Sequence, residues 1–410
     1  MGVASAVPFA LTDPRPRVPL PGAWRFWADL LRTGEPLGPV QVSGFGFTSR
    51  LSGFGNGTGS FTLPCGIDPA RLLRLWSWRL WAWYGEDPNP VWCGVPSGIG
   101  DEDGSVRVSL TFTELTGYLT KRQFDVHPKW STPGGGMEQT AIAAMLAAPL
   151  ADVGVRVVTA AGAPRNRDRT YEYLESEHRG QLLANLAGVD DGPEFRAEYG
   201  MTAAGRPECV LRIASPRVGG PTGLGVTIPG TALGFRAQWD ADKLRTRTFA
   251  VGDLPENAAA DAVRPVSVVD RPQPDLPRLD GVDDWPGTFV LSTLAERANT
   301  MAGAQSRPAL ALSASPPANT PPLGSYRVGD DVTIYAETPL LPGGLDATGR
   351  LTEVSVSAAE DRATWSVVTS MPPPLARESL AGRLGRLDLT TRTVFQRGPM
   401  TAPPVFPEEG

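Results

Sequence analysis

The sequence is short of the residues that most often carry chemistry. Among its 410 residues there are two histidines, His127 and His178, 51 positions apart, so HExxH and paired-histidine metal motifs are excluded. Three cysteines, Cys65, Cys93 and Cys209, are an odd number without CxxC spacing. Neither a disulfide framework nor a zinc ribbon is indicated, and synthesis in a reducing compartment fits best. No serine has a glycine two places before and two places after it, which removes the hydrolase nucleophile elbow. Lysine occurs only at 121, 129 and 243, never within GxxxxGK, so a phosphate-binding loop is absent. The arginine bias among the other basic residues fits codon usage in a GC-rich genome and marks no site. Long apolar runs are missing too: the longest, Ala141 to Leu150, is about half a bilayer span, so no membrane span is expected. No positive charge precedes Arg15 and Pro8 breaks the first segment, so a secretory signal is not expected either. Exit from a cell would then be by lysis or within a particle.

What the chain does have is turns. Its 46 glycines and 41 prolines make up about a fifth of the residues, against 41% apolar and 20% charged. That composition favours many short strands over long helices. At roughly 100–200 residues per domain, the length predicts two to four domains. A net charge of −6 gives no field that would gather nucleic acid, so a sequence-reading DNA binder is excluded.

Patterning divides the chain into five regions. Residues 1–34 read as a Pro-rich arm and a short helix, because Trp24, Trp27 and Leu31 fall at i, i+3 and i+7. Residues 35–128 read as a first β-barrel, with a hairpin at GNG (55–57) and a short helix from Asp68, the N-cap, with Pro69 at its first position. Within it, Trp78, Leu80, Ala82 and Tyr84 alternate with Arg79, Trp81 and Trp83, a strand apolar on both sides and therefore covered on both. Residues 129–215 read as an inserted α+β domain of helix, strand, helix, strand, with Ile142, Met145, Leu146 and Pro149 on one helical face and Gly154 as a stop. The next region, 216–370, reads as a second barrel with a Pro-rich surface excursion at 255–287, a helix at 292–305 and a Gly-rich turn before the strand Leu351–Ser357. Residues 371–410 read either as a Pro-rich C-terminal tether to a neighbouring copy or another protein, or as a disordered terminus with no partner. In it Leu380, Leu384 and Leu387 fall at i, i+4 and i+7, and Phe395 and Phe406 belong to a second apolar group.

No catalytic, cofactor-binding or metal residue survives comparison with its plainer reading. DxDG at 101–104 lacks the glycine and closing glutamate of a calcium loop and reads as a turn. Forty-four acidic residues leave a glycosidase pair open in principle, yet most sit among turn residues. The tryptophans at 76, 78, 81, 83 and 92 could stack on sugar rings, but tryptophan in alternating strands more often builds a core, with Trp81 and Trp83 left as a face between subunits.

The stretch LWAWYGEDPNPVWCGVPSGI…VRVSLTFTELTGYLTKRQF, the helical insertion, and the late VGDDVTIYAETPLLPGGLDATGRLTEVSVSAAEDRATWSVV together resemble the tail-hub, or baseplate-hub, minor tail proteins of long-tailed phages of actinobacteria. The resemblance covers roughly residues 35–370 and rests on order and texture. It implies a mainly β fold of two tail-tube-like β-barrels with a small inserted α/β domain. It also implies a homotrimer whose ring joins a sixfold tail tube to a threefold tip and lines the DNA channel, without specific DNA binding. The implied neighbours are a distal tail or tail-tube protein, a tape measure protein and tail-tip or fibre proteins, and the implied location is the virion tail tip after synthesis in the host cytoplasm. A tether at 371–410 would then reach a neighbouring hub copy or another tail-tip protein. Only 40 residues follow residue 370, without the enzymatic extension many relatives carry, so no enzyme is expected and no cofactor is implied. The competing reading is a particle-borne carbohydrate-binding or glycan-cleaving β protein that uses the Trp-rich strands.

Overall fold

The structure, a computed structural model, describes residues 24–101, 106–123, 129–130, 138–160, 169–170, 178–187, 192–215, 217–254, 262–285, 290–306, 309–317, 321–339, 341–359 and 362–368. The first part supplies β1 (Trp24–Leu30), β2 (Pro36–Pro39), β3 (Ser43–Arg50), β4 (Asn56–Thr62), α1 (Pro69–Leu72), β5 (Trp78–Tyr84), β6 (Trp92–Asp101) and β7 (Arg107–Glu114), then a 3₁₀ segment at Leu115–Lys121. The insertion holds β8 (Lys129–Trp130), α2 (Glu138–Ala151), β9 (Val155–Thr159), β10 (Arg169–Thr170), α3 (Arg179–Ala187), β11 (Glu194–Met201) and β12 (Pro207–Ala214). Beyond it lie β13 (Pro221–Ile228), β14 (Gly234–Asp240), β15 (Arg247–Val251), β16 (Val266–Asp270), β17 (Asp280–Asp284), α4 (Leu291–Gln305), β18 (Ala309–Ser315), β19 (Asp331–Thr338), β20 (Leu341–Ser357) and β21 (Arg362–Val368).

Thirteen strands form one sheet in the order β14-β18-β21-β20-β3-β4-β7-β6-β5-β1-β2, with β19 pairing β20 and carrying β13. Among the described residues the chain is thus mainly β and neither half closes into a barrel, which corrects the expectation of two tail-tube-like β-barrels. The reason lies in β20. Along Leu341–Arg350 it pairs with β19, and beyond that β21 takes one edge while β3 takes the other along Glu353–Ser357. An edge already bonded to the other half cannot close its own half. The continuous strand also replaces the Gly-rich turn expected before Leu351.

The expected helix at Trp24–Leu31 is a strand instead. Every residue of β1 pairs with β5, from Trp24 opposite Tyr84 to Leu30 opposite Trp78. Trp24, Trp27 and Leu31 satisfy a helical stripe by coincidence, while Trp and Phe at alternate positions suit a pleated surface better than a helix. Phe26 and Ala28 face the main core, and Leu31, with Trp27 packed beside it, faces a second core. At the first hairpin the chain turns earlier than GNG, within residues 51–55, where Ser52 takes φ 54°, and Asn56 and Gly57 already belong to β4. Glycine is still required there, because the Trp92 ring lies over Gly57 and Gly94. A Cβ at those positions would meet it at 2.7 and 2.0 Å.

α1 is capped as its sequence indicates: the Asp68 carboxylate accepts from the Ala70 N–H at 3.3 Å, with Pro69 at the first position. Through Ile142, Leu146 and Leu150, α2 buries its apolar side on the second core, and Gly154 follows it with φ +69°. The insertion also holds the three-stranded sheet β11-β12-β9, in which β9 and β12 run parallel and which shares the second core with α2, α3 and the main sheet. The strand β11 was not anticipated. Residues 255–287 are not simply a surface excursion, since β16 and β17 flank β15 in a small separate sheet packed under α4. Prolines at 265, 272, 274 and 277 fall between these strands rather than inside them. Among the described residues no helix is long and apolar enough to cross a membrane.

Candidate functional site

β5 is the floor on which the two main cores meet. Trp78, Leu80, Ala82 and Tyr84 join the core shared by both halves of the large sheet, with Trp92, Phe45 and Trp365. Trp81 and Trp83 point the other way, into a core completed by Ile142, Leu146, Leu183, Phe195 and Leu211 of the insertion. Trp81 is 0% exposed and Trp83 is buried, so the expectation that this pair faces a neighbouring subunit is corrected: the chain's own α+β domain covers them. Burial also removes the sugar-stacking role, because Trp78, Trp81 and Trp92 offer no open ring face. Trp76 is half-buried against Tyr118, with the Lys121 ammonium 5.9 Å from its ring. Leu380, Leu384, Leu387, Phe395 and Phe406 lie outside the described residues, as does His127. His178 sits at the start of α3, its carbonyl accepting from the Leu182 N–H at 3.1 Å.

Three polar groups fasten the insertion to the rest of the chain, the first of them at this floor. In the first, Asp29 and Arg79 are cross-strand neighbours on β1 and β5. Arg79 Nε donates to Asp29 Oδ1 at 2.5 Å and Nη2 to Oδ2 at 3.3 Å, while Trp81 Nε1 donates to Oδ2 at 3.0 Å. The remaining arm of Arg79 reaches the Val153 carbonyl just past α2, at 2.9 Å. Glycine at 154 leaves room for it, since a Cβ there would stand 3.2 Å from Nη1. Burial pushes the Asp29 carboxyl above the usual carboxylate range, and the Arg79 charge and the two donors offset part of that rise.

In the second, Glu114 at the end of β7 is buried. Its Oε2 accepts from the Gly55 N–H at 3.0 Å and the Thr116 hydroxyl at 3.3 Å. Oε1 accepts from Tyr199 of β11 at 2.8 Å and from Ser49 of β3 at 3.3 Å. Burial raises the pKa of Glu114, opposed by these four donors, the Gly55 N–H first. Burial and then the nearby carboxylate hold the Tyr199 phenol well above its ordinary value.

The third group joins β11 to the far half of the sheet. Arg196 Nη1 donates to Asp330 at 2.7 Å and to the Val328 carbonyl at 2.9 Å, and its Nε donates to Glu198 at 2.9 Å. Arg212 Nε meets the other oxygen of Glu198 at 2.8 Å. Burial alone would raise Glu198, but the bond from Arg212 and the charge of Arg196 outweigh it and hold the carboxyl below the usual range. Beside this group Arg350 binds Glu194, and Arg217 binds Asp331.

Sequence reasoning singled out none of these carboxylates, although two left a signal. Glu114 falls in phase with Val108, Leu110 and Phe112, so a carboxylate occupies a core-facing position of its strand. Asp29 shares the parity of Trp27, which shows only once β1 is read as a strand.

The arrangement holds parts of the chain together. Buried Asp29, Glu114 and Asp330 each accept hydrogen bonds at both carboxylate oxygens. The cleft beside Tyr199, bordered by Asp87, Tyr326 and Arg327, has a volume of about 80 Å³, well below the roughly 300 Å³ at which ligand pockets begin. A larger groove of about 540 Å³ runs past Trp24, Arg25, Gln41 and Cys65, and no carboxylate or histidine lines it. Cys65, Cys93 and Cys209 are buried and unpaired, and burial pushes the Cys93 and Cys209 thiols well above their ordinary range, away from the nucleophilic thiolate. Among the described residues no group of three His, Cys, Asp or Glu side chains could hold a metal ion.

No protein-family model matches this sequence, and no curated protein matches it. Its architecture does match solved structures. The 43 kDa tail protein of prophage MuSo2 from Shewanella oneidensis superposes with a TM-score of 0.56 at 14% identity, over 84% of this chain and 98% of that one. A tail protein from Neisseria meningitidis MC58 superposes with a TM-score of 0.52 at 15% identity, over 86% of this chain and 99% of that one. At such identities the likeness is one of fold: this chain shares the architecture of phage-type tail proteins over almost their whole length.

Proposed function

We propose that the chain is a structural protein of a phage-type tail, forming a trimeric hub ring that joins the sixfold tube to the threefold tip and lines the DNA channel. The observation that carries this reading is the near-complete coverage of two solved tail proteins, 98% and 99% of their lengths, by a fold whose polar groups serve connection. A match to a small part of those proteins could reflect one borrowed module, whereas coverage of almost their whole length supports a shared overall build. Its partners are two further copies of itself, a distal tail or tail-tube protein, a tape measure protein and tail-tip or fibre proteins, and its place is the tail tip of the virion. With −6 per chain, a ring of three presents DNA with a repelling balance of charge, suited to passage and not to retention.

The test is oligomeric state and position. Mass measurement of the purified full-length chain alone and with its tail-tube protein, followed by imaging of intact particles, is expected to give three copies in one ring at the tip. A monomer in assembled particles, or a location away from the tail, would remove the hub reading. Turnover of peptidoglycan by the purified chain would revive the glycan-cleaving alternative.

A further inference from the structure

Exposed large apolar side chains concentrate on the unit built from β15, β16, β17 and α4. One face of its sheet is covered: Thr248 and Ala250 are buried, and Ala250 packs with Leu294 and Ala298 of α4. Strand alternation places Arg247, Phe249 and Val251 on the opposite face. Register sets Phe249 between Val268 and Val282, a row across all three strands, and sets Val251 opposite Val266. Val266, Val268 and Val282 are 41%, 41% and 60% exposed. The Arg247 guanidinium lies over the Phe249 ring at 5.1 Å and reaches Asp270, while Arg278 beside Asp280 and Arg264 beside Asp284 frame the apolar centre, every aspartate about half exposed.

The geometry of the chain's exit indicates what covers this face. The unit joins the large sheet at a root where Asp240 of β14 faces Ala309 of β18 and the Arg245 N–H bonds the Gln305 carbonyl at 2.9 Å. β21 ends at Val368, opposite Ala311, beside that same root. Forty-two residues follow. Leu380 comes 12 residues after Val368, a reach of up to about 40 Å, against about 22 Å for the length of α4. In a helical turn the stripe Leu380, Leu384 and Leu387 spans about 10 Å, which matches the roughly 10 Å across three paired strands. Arg377, Arg383 and Arg386 flank the stripe, opposite in sign to the aspartates on the rim.

Area separates the possible occupants. Three strands of five residues present on the order of 200 Å². A free protein partner needs about 800 Å² on each side, whereas a segment tethered at the root binds at an effective concentration in the millimolar range. We propose that the open face of the β15–β17 sheet is the docking site of the chain's own segment 376–397, seated through Leu380, Leu384 and Leu387.

The assignment places the segment on its own chain and holds whatever particle the protein serves. In the full-length chain carrying Val282→Cys and Leu384→Cys, oxidation is expected to give a disulfide within one chain, the native thiols being buried. A disulfide joining two chains, or none, overturns the proposal. A second variant, Leu384→Asp with Leu387→Asp, leaves the described cores untouched. Hydrogen exchange over residues 247–251, 266–270 and 280–284 is expected to speed up about tenfold in it, with the large sheet unchanged. Unaltered exchange in that sheet overturns the proposal as well.

Discussion

The floor strand β5 and the small unit at 247–305 are built from similar pieces, a few strands under a helix, and differ in how much they bury. β5 is buried at all seven positions, with aromatic layers above and below it. Among the described residues the small unit buries Ala250, Leu294, Ala298 and Ala302, with Val269 and Trp285 packed beside the first three. Each buried aromatic removes about 150–250 Å² from water, several times what an alanine contributes. The floor and the insertion it carries should therefore unfold as one cooperative block, while the small unit should open at lower cost.

The largest effect that tests this contrast is expected from Trp81→Ala. It removes the ring that fills the second core and a donor to Asp29, at a cost of about 3–5 kcal/mol. Chemical denaturation should show the large sheet and the insertion losing stability together. Separate transitions would break the idea of one block. Leu294→Ala is expected to cost about 2–3 kcal/mol, confined to the small unit. Hydrogen exchange should accelerate at 247–305 and stay slow in β5, and loss of protection in β5 would show the two regions to be coupled.

Glu114→Gln is expected to change stability by about 1–2 kcal/mol, and in a pH-dependent way. Since the folded pKa is raised, the native state holds this proton more tightly than the unfolded chain. The contribution is fully present below the unfolded pKa and is lost as pH rises through the folded one. Glutamine cannot titrate, so the variant should lose stability less steeply than the parent as pH rises above the ordinary carboxylate range. Glu198 works in the opposite sense: its lowered pKa gives stability above the unfolded value that disappears as pH falls. A wild-type profile unchanged by Glu114→Gln would mean that the carboxyl does not titrate in that window. Smallest of all, Val282→Thr on the open face should shift global unfolding by less than about 0.5 kcal/mol. A larger loss of global stability would show that the face supports the main fold.

The covered floor was legible in the sequence because a seven-residue stretch with apolar side chains on both parities has one comfortable environment, a layer packed on both sides. α1, α2 and α4 were legible through caps, stops and periodicity. The joining of the halves was not, because strand pairing between β3 and β20 is set by partners about 300 residues apart, and no local pattern specifies them. β1 was misread because three large residues fit a helical stripe and an alternating strand equally well. The polar groups that fasten the insertion escaped for a related reason. Asp29, Glu114 and Arg196 acquire their meaning from Arg79, Tyr199 and Asp330, which are distant in sequence and brought near by the fold.

The seam between β3 and β20 also sets a timetable for biosynthesis. Arg50 and its partner Glu353 are 303 residues apart. At about 5–20 residues per second, a ribosome leaves β3 without its neighbour for roughly 15–60 s, during which Phe45 and Phe47 border an unfilled edge. Closing so long a loop is slow, and an unpaired strand is a template for wrong partners. Gly44 and Gly46 weaken β3 as such a template, since glycine adds little to a strand's pairing. Yield from a cell should therefore respond to translation rate and to chaperones more than the stability of the finished protein would suggest.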